Sequence, residues 1–449
     1  MGRLQVSRNT LNGWGRTSPG VATVLHPSSE AALAEALSTS RGVIARGLGR
    51  SYGDAAQLSG GTVLSSRALV DQSAIDENGV ISVGAGTSLD ELLTLSIPQG
   101  WFLPVTPGTR QVTIGGAVAA DVHGKNHHVD GSFANHVLDM RLVTPDTSMT
   151  LSPSQDGELF WATMGGMGLT GVVSRVTLQM LKIETDQMLV DTDRFSNLDE
   201  VMDAMVTGDN AYQYSVAWVD CMSRGPVMGR AVLTRARHAT KSDVDAATLR
   251  APRPTRLFVP FSAPNGLLNP LAIKAFNELW FRLSPRHQEG KPKSLSAFFH
   301  PLDGLRDWNR LYGPRGFVQY QFCVPEGAGD TVRRVIEHLS SSGIASFLAV
   351  LKRFGPSNPG LLSFPMSGWT LALDLPVGPP SLPDLLDALD EMVVGAGGRI
   401  YLAKDARLRP EMARAMYPNL DKFLAVKDRV DPEHRLTSDL ARRLHLVGT

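Results

Sequence analysis

The segment that most narrows the fold is Arg46-Gly47-Leu48-Gly49-Arg50-Ser51-Tyr52-Gly53-Asp54, which follows directly on the apolar run Gly42-Val43-Ile44-Ala45. Gly47, Gly49 and Gly53 open backbone dihedrals closed to other residues. Successive N–H groups can then converge on an anion, with Arg46, Arg50 and Ser51 as further donors. A dinucleotide-binding βαβ unit would carry its third glycine into an amphipathic helix and close the next strand with an acidic residue. Here the chain continues Asp54-Ala55-Ala56-Gln57-Leu58-Ser59-Gly60-Gly61, which is small, polar and helix-breaking. The loop therefore reads as anion-binding without a Rossmann helix. Taken alone, it also fits an ordinary strand-end turn.

A second cluster removes most of that alternative. Pro107-Gly108-Thr109-Arg110-Gln111-Val112-Thr113-Ile114-Gly115-Gly116-Ala117-Val118-Ala119-Ala120 predicts a small-residue helix opening at the glycine pair, followed by His123-Gly124-Lys125-Asn126. Small residues let backbone approach a flat ring or a phosphate, and the start of the helix adds a positive dipole end. Trp161-Ala162-Thr163-Met164-Gly165-Gly166-Met167-Gly168-Leu169-Thr170-Gly171-Val172-Val173 supplies a third glycine-rich stretch that runs into a strand. Two separated glycine loops call for a ligand with two ends.

Composition closes off several classes. With 449 residues and 43% hydrophobic content, the chain can bury a large core and is expected to divide into two domains. Its 44 basic residues balance 44 acidic ones, so no net field draws in nucleic acid, and the basic residues are too dispersed to track phosphates. Cys221 and Cys323 stand alone without metal or redox spacing, which predicts two buried apolar thiols and no disulfide framework. The N-terminal residues lack the apolar core of a Sec signal, and no apolar run approaches the ~20 residues that span a bilayer. The expected location is cytoplasmic or peripheral at the plasma membrane, its periplasmic side included.

Up to about Lys182, short β-rich runs alternate with Gly, Pro, Asp and Ser. Strands are expected at Val43–Ala45, Gly61–Ser65, Val80–Val83, Val137–Val143 and Gly171–Leu178, and helices at Ser29–Ser38 and Ser88–Leu95. Beyond it, strands are expected at Gln213–Val219, Gly229–Leu233, Gly316–Val324, Ser346–Lys352 and Trp369–Leu375, with helices at Thr331–Ser341 and Leu382–Ala396. That pattern fits an antiparallel sheet covered by helices. Gly397–Asp405 reads as a further strand and Ser438–Leu446 as a helical end. Residues 252–293 shift in composition: the stretch 252–261 is apolar, basic and broken by proline, and Ile273, Phe276 and Trp280 recur at helical spacing between Lys274 and Arg282. Two readings stand: a loop and helix packed on the core, or a lipid-facing flap whose basic residues meet anionic head groups.

The ordered segments "RGLGRSYGD", "PGTRQVTIGGAVAADVHGKNHH" and "FWATMGGMGLTGVV" resemble the vanillyl-alcohol-oxidase flavoprotein superfamily with its PCMH-type FAD domain. The likeness is closest to the actinobacterial family of decaprenylphosphoryl-ribose 2-oxidases. It covers essentially the whole chain, including "FFHPLDGLRDWNRLYGPRGFVQYQF", "SFLAVLKRFGP", "RIYLAKD" and "SDLARRL". The resemblance implies an α+β, two-domain PCMH-type FAD-binding fold with an antiparallel-sheet substrate domain. It divides the chain into residues 1–182 for FAD, 183–398 for substrate, and 399–449 returning to the FAD domain.

The resemblance also implies that FAD lies against Ala45, Arg46, Gly47, Leu48, Gly49, Arg50, Ser51, Tyr52, Gly53, Asp54, Ala55, Gly108, Thr113, Ile114, Gly115, Gly116, His123, Gly124, Lys125, Asn126, Val172 and Tyr401. It sets a sugar pocket at Tyr52, Lys125, Gln319, Gln321, Lys352 and Phe354, with His123 and Lys404 catalytic. Arg50 occupies the position at which some relatives tether FAD through histidine, so the flavin is expected to be non-covalent. The implied reaction oxidises the 2-hydroxyl of a polyprenyl-phosphate ribose to the 2-keto sugar, with the hydride passing to flavin N5. A separate NADH-dependent keto-reductase would complete an epimerisation for cell-wall arabinan synthesis, and residues 252–293 would touch the membrane. Ala372, Phe299 and Val216 depart from the family pattern, where cysteine, tyrosine and serine stand.

His123 serves as a base or as a residue that fixes the loop, and Lys404 serves as a base if burial depresses its pKa or otherwise as a cation. His123, His127 and His128 lack the acidic or cysteine partners a metal would need, and no metal is expected. Lys352 and Lys404 are read as charges on otherwise apolar strands, in contact with phosphate or hydroxyl or held at a solvated edge. Two other functions stay open: a soluble alditol or aldonolactone oxidase of the same superfamily, and a non-catalytic flavin-binding scaffold.

Overall fold

The computed structural model describes residues 5–446. Near the N-terminus a four-stranded sheet takes the order Gln5–Leu11, Gly20–His26, Thr62–Ser65, Val43–Arg46; the first pair is antiparallel and the other two pairings are parallel. The crossover from Gly20–His26 to Val43–Arg46 is the helix Glu30–Thr39, which starts where Ser29 accepts the N–H of Ala32. A second, fully antiparallel sheet has the order Val80–Gly84, Val172–Gln179, Val137–Val143, Ser148–Leu151. The helix Leu89–Ser96 beside it opens on a capping box between Ser88 and Glu91.

The remainder is organised by one eight-stranded antiparallel sheet. Its order is His287–Ser294, Gln187–Phe195, Ala231–His238, Tyr214–Val219, Ala349–Phe354, Gly368–Pro376, Phe317–Pro325, Arg399–Ile400. Side chains alternate across a strand, and here the alternation sorts core from site. Tyr320, Phe322, Leu351, Leu371 and Leu373 are buried, on the face covered by the helices Gly329–Ser342 and Leu382–Gly395. Gln319, Gln321, Val350, Lys352 and Ala372 point the other way, into a cavity shared with the glycine loops. Burying each such leucine or phenylalanine is worth ~1.5–3 kcal/mol, which makes this sheet the rigid wall of the site.

The strands at Val43–Arg46, Thr62–Ser65, Val80–Gly84, Val137–Val143 and Val172–Gln179 match the sequence reading to within a residue or two. Two expected strands run later than read, at Ala231–His238 and Ala349–Phe354. The strand expected over Gly397–Asp405 is a correction: it stops at Ile400, because the backbone beyond turns so that the Ala403 carbonyl can accept from Tyr52. Lys404 therefore sits on a turn, not on an apolar strand. The end of the chain spans both halves of the molecule. Arg399–Ile400 extends the large sheet, whereas Leu436 bridges to Val43 and the helix Asp439–Arg443 lies against residues 54–59. Cys221 and Cys323 are free and buried.

Residues 252–293 form a short strand Leu257–Phe258, paired to Leu305–Arg306, and a helix Pro270–Leu283 that begins where Asn269 caps its first turn. Ile273 and Asn277 face inward, but Leu271 is 80% exposed, Leu283 75%, Phe261 73% and Leu257 69%. Among the described residues no helix is long and apolar enough to cross a membrane.

Candidate active site

Two backbone segments, residues 14–15 and 403–405, converge on the first glycine loop. Trp14 N donates to the Ser51 carbonyl at 2.8 Å, Gly15 N to Tyr52 at 2.9 Å, and Tyr52 N to Ala403 at 2.9 Å. A Cβ on Gly53 would stand 1.9 Å from the Asp405 carbonyl oxygen, so only glycine permits this approach. Gly49 holds φ at +64°, in the left-handed region that glycine enters without strain. No helix follows the loop, as its composition predicts. Gly47 lies against Thr113, whose hydroxyl accepts the Gly116 N–H at 3.1 Å and caps the six-residue helix Ile114–Ala119. The two glycine clusters are thus in contact.

Together they enclose a cavity of about 540 Å³. Its lining includes Ala45, Gly47, Leu48, Gly49, Arg50, Ser51, Tyr52, Ala55, Gly108, Thr113, Gly115, Gly116, Val172 and Tyr401 toward the loops, and His123, Gln319, Gln321, Lys352 and Lys404 toward the large sheet. The volume lies in the range of small-molecule and cofactor sites. Arg50 donates to the Leu48 carbonyl and stacks its guanidinium 4.2 Å from the centre of the Trp14 ring.

Polar groups at the sheet end form one connected set. The Thr370 hydroxyl donates to the Phe322 carbonyl at 2.8 Å, which leaves its lone pair to accept from the Gln321 amide nitrogen at 3.2 Å. That orients the amide, so the same nitrogen donates to His123 Nε2 at 3.0 Å. His123 therefore carries its proton on Nδ1, and that buried atom has no protein partner. Burial first, then the Lys352, His127 and Lys404 charges, hold the imidazole well below its usual pKa, so the ring is neutral. The Lys404 ammonium lies 3.9 Å from the centre of the Tyr52 ring, and burial pushes it down to about 7 against an upward pull from Asp374. Lys352 is lowered to about 8, again by burial. Asp374 accepts from Gln319 and, at 3.2 Å, from Tyr312, and burial raises it to about 6.

Several expected contacts lie elsewhere. The Arg46 guanidinium donates to the Asn12 and Ala56 carbonyls and braces the loop from behind. Asp54 pairs with Arg443, which also approaches Asp405 to 2.9 Å. Ile114 is core, and Asn126 donates to Pro104 and Asp130. Gly124 gives its carbonyl to Lys352 at 3.4 Å. Lys125, lowered by burial to about 7, turns to the Phe298 carbonyl and ring, away from the cavity wall. Phe354 lies behind His123, with ring centres 4.8 Å apart. His127 accepts from Gly355 N and His128 contacts the Tyr212 carbonyl, so the three histidines diverge. The sequence reading missed Trp14, Asp303 and Trp308, which line the cavity, and Asp374, which holds Gln319. Trp14 had a signal, since it stands between Gly13 and Gly15 in a loop-like stretch, and Asp374 is the lone charge in "WTLALDL".

The residues present suit FAD. The cavity is walled on one side by Gly47, Gly49, Gly108, Gly115 and Gly116, with open space before Gly108, and it carries the unpartnered Nδ1–H of His123. Residues 21–151 match a family model described as an FAD binding domain. The chain is 43% identical to decaprenylphosphoryl-beta-D-ribose oxidase of Mycolicibacterium smegmatis, over 97% of both chains. It is 41% identical to an uncharacterised protein of Streptomyces coelicolor, over 80% of this chain and all of that one. It is 24% identical to L-gulono-1,4-lactone dehydrogenase of Mycobacterium tuberculosis, over 94% and 96%.

Proposed function

The chain belongs to the decaprenylphosphoryl-β-D-ribose oxidase family of FAD-dependent oxidoreductases, and from that premise we propose that it oxidises the 2-hydroxyl of a polyprenyl-phosphate ribose to the ketone. The observation that carries this reading is the convergence of Lys404, Lys352, Gln319, Gln321 and His123 on the sheet end of a cavity whose other wall is the paired glycine loops. The far lower identity to a lactone dehydrogenase makes the soluble aldonolactone reading the weaker one.

Bound FAD supplies a two-electron acceptor for the carbon that loses hydrogen. The protein supplies the proton acceptor and the alignment. With its pKa near 7, the Lys404 amine is substantially neutral at physiological pH and takes the hydroxyl proton at Nζ. The Nε2 lone pair of His123 is already engaged by Gln321, so its Nδ1–H serves as a donor that orients a sugar oxygen. The Lys352 ammonium, lowered less than Lys404, remains the cation of the pocket and stabilises a developing alkoxide. The glycine loops hold the cofactor without a covalent tether. The exposed apolar residues of 257–283 rest on the membrane that holds the lipid-linked substrate, and a separate NADH-dependent reductase would receive the keto product.

Product mass spectrometry after incubation with polyprenyl-phosphate ribose, with no reductase present, should show loss of two mass units. Lys404→Ala should stay yellow while flavin bleaching under anaerobic substrate falls by about 10²–10⁴-fold. In the wild type the rate should rise with pH through about 7, as Lys404 loses its proton, and fall again above about 8, as Lys352 loses its charge. Lys404→Arg, which keeps its proton, should be inactive throughout. Near-normal bleaching in the alanine variant would remove Lys404 from this role.

A further inference from the structure

A second cavity, of about 280 Å³, shares the Leu48–Arg50 loop with the first as a common wall. Arg16, Arg46, Arg50 and Arg310 line it, with Asp307 the carboxylate among them. Arg16 and Arg310 do not line the main cavity, so the cofactor site does not account for their charges. Both carry free donors. Arg16 gives one N–H to Ser262 Oγ at 2.9 Å, and Arg310 gives one nitrogen to the Val259 and Pro260 carbonyls at 2.8 and 2.9 Å. Asp307 comes only within 3.9 Å of Arg310. Arg16 and Asp307 hold φ at +65° and +56°, a cost to non-glycine backbone that persists where surrounding structure enforces it, as at ligand clamps.

The location specifies the occupant. Val259, Pro260 and Ser262, the groups these arginines hold, interleave with Phe258 and Phe261, which are 53% and 73% exposed. A cationic hollow is thus continuous with an exposed apolar strap. Guanidinium forks suit phosphate oxygens, and aromatic and aliphatic side chains beside them suit hydrocarbon. We propose that this cavity binds the phosphate ester of a lipid, held by Arg16 and Arg310, with the hydrocarbon lying along Leu257, Phe258 and Phe261. The inference rests on the membrane-facing reading of that strap.

The test uses the FAD-loaded enzyme and phosphatidylcholine vesicles with or without phosphatidic acid, with the bound fraction read by flotation. Phosphatidic acid should strengthen binding, and Arg16→Gln and Arg310→Gln should each weaken that gain about fivefold while retaining FAD absorbance. If loss of the Arg310 carbonyl contacts releases FAD, Arg16→Gln alone decides. The same variants assayed on detergent-dispersed polyprenyl-phosphate ribose separate two sources of the phosphate. A raised KM at unchanged kcat marks the substrate's own phosphate, and an unchanged KM with weakened vesicle binding marks a bilayer head group. Variants equal to wild type in both assays overturn the proposal. Vesicle binding needs no turnover. Arg16-dependent binding by an enzyme that leaves the sugar unoxidised would sink the catalytic reading and leave this site standing.

Discussion

The ring nitrogen on which His123 carries its proton is decided by a hydroxyl two hydrogen bonds away. Thr370 gives its proton to the Phe322 carbonyl, and the orientation passes through the Gln321 amide to Nε2. Thr370→Val removes the hydroxyl and frees the amide to turn its oxygen toward His123, which would place the imidazole proton on Nε2. The measurement is the ¹⁵N chemical shift pair of His123, expected to exchange between the two ring nitrogens, with kcat lowered by about tenfold at retained FAD. An unchanged pair of shifts would show that the ring is oriented by something else. None of this order was legible from residue types, because His123 and Gln321 are 198 positions apart and the amide direction depends on a neighbouring strand. What the sequence did carry was the residue list: His123, Gln319, Gln321, Lys352 and Lys404 do line one cavity.

At the scale of elements, the glycine loops were readable because their departure from a helix-opening pattern is local, and the strands because alternation survives in a half-buried sheet. The strand read through Asp405 failed for a non-local reason. Ile400, Tyr401 and Leu402 extend a strand on paper, but Tyr52 needs the Ala403 carbonyl, and the chain turns to supply it. The flap behaves oppositely. Its helix was legible from spacing, and its outward face was foreshadowed by charge beside apolar residues. Replacing Leu257, Phe258 and Phe261 together by serine should cost at most a raised KM on detergent-dispersed substrate, at unchanged kcat. Turnover of substrate embedded in vesicles should fall by about tenfold or more, since each burial is worth ~1.5–3 kcal/mol. Equal rates in both presentations would remove the flap from membrane contact.

For the molecule as a whole, the first glycine loop is completed by residues far along the chain. Arg443 pairs with Asp54 across 389 positions and reaches Asp405 beside Lys404, so one guanidinium ties the cofactor loop to the lysine turn. Removing it leaves two largely buried carboxylates facing each other. Arg443→Ala should cost ~3–5 kcal/mol, read as a lowered melting temperature and as FAD lost on gel filtration. An unchanged melting temperature with retained FAD would reduce the contact to an incidental one. This pairing also sets an order of events during synthesis. The loop leaves the ribosome 389 residues before its brace, so a growing chain carries its cofactor cradle open until Arg443 has been made. Flavin capture then follows translation of the brace, and cells short of FAD would accumulate loosely closed chains rather than truncated ones.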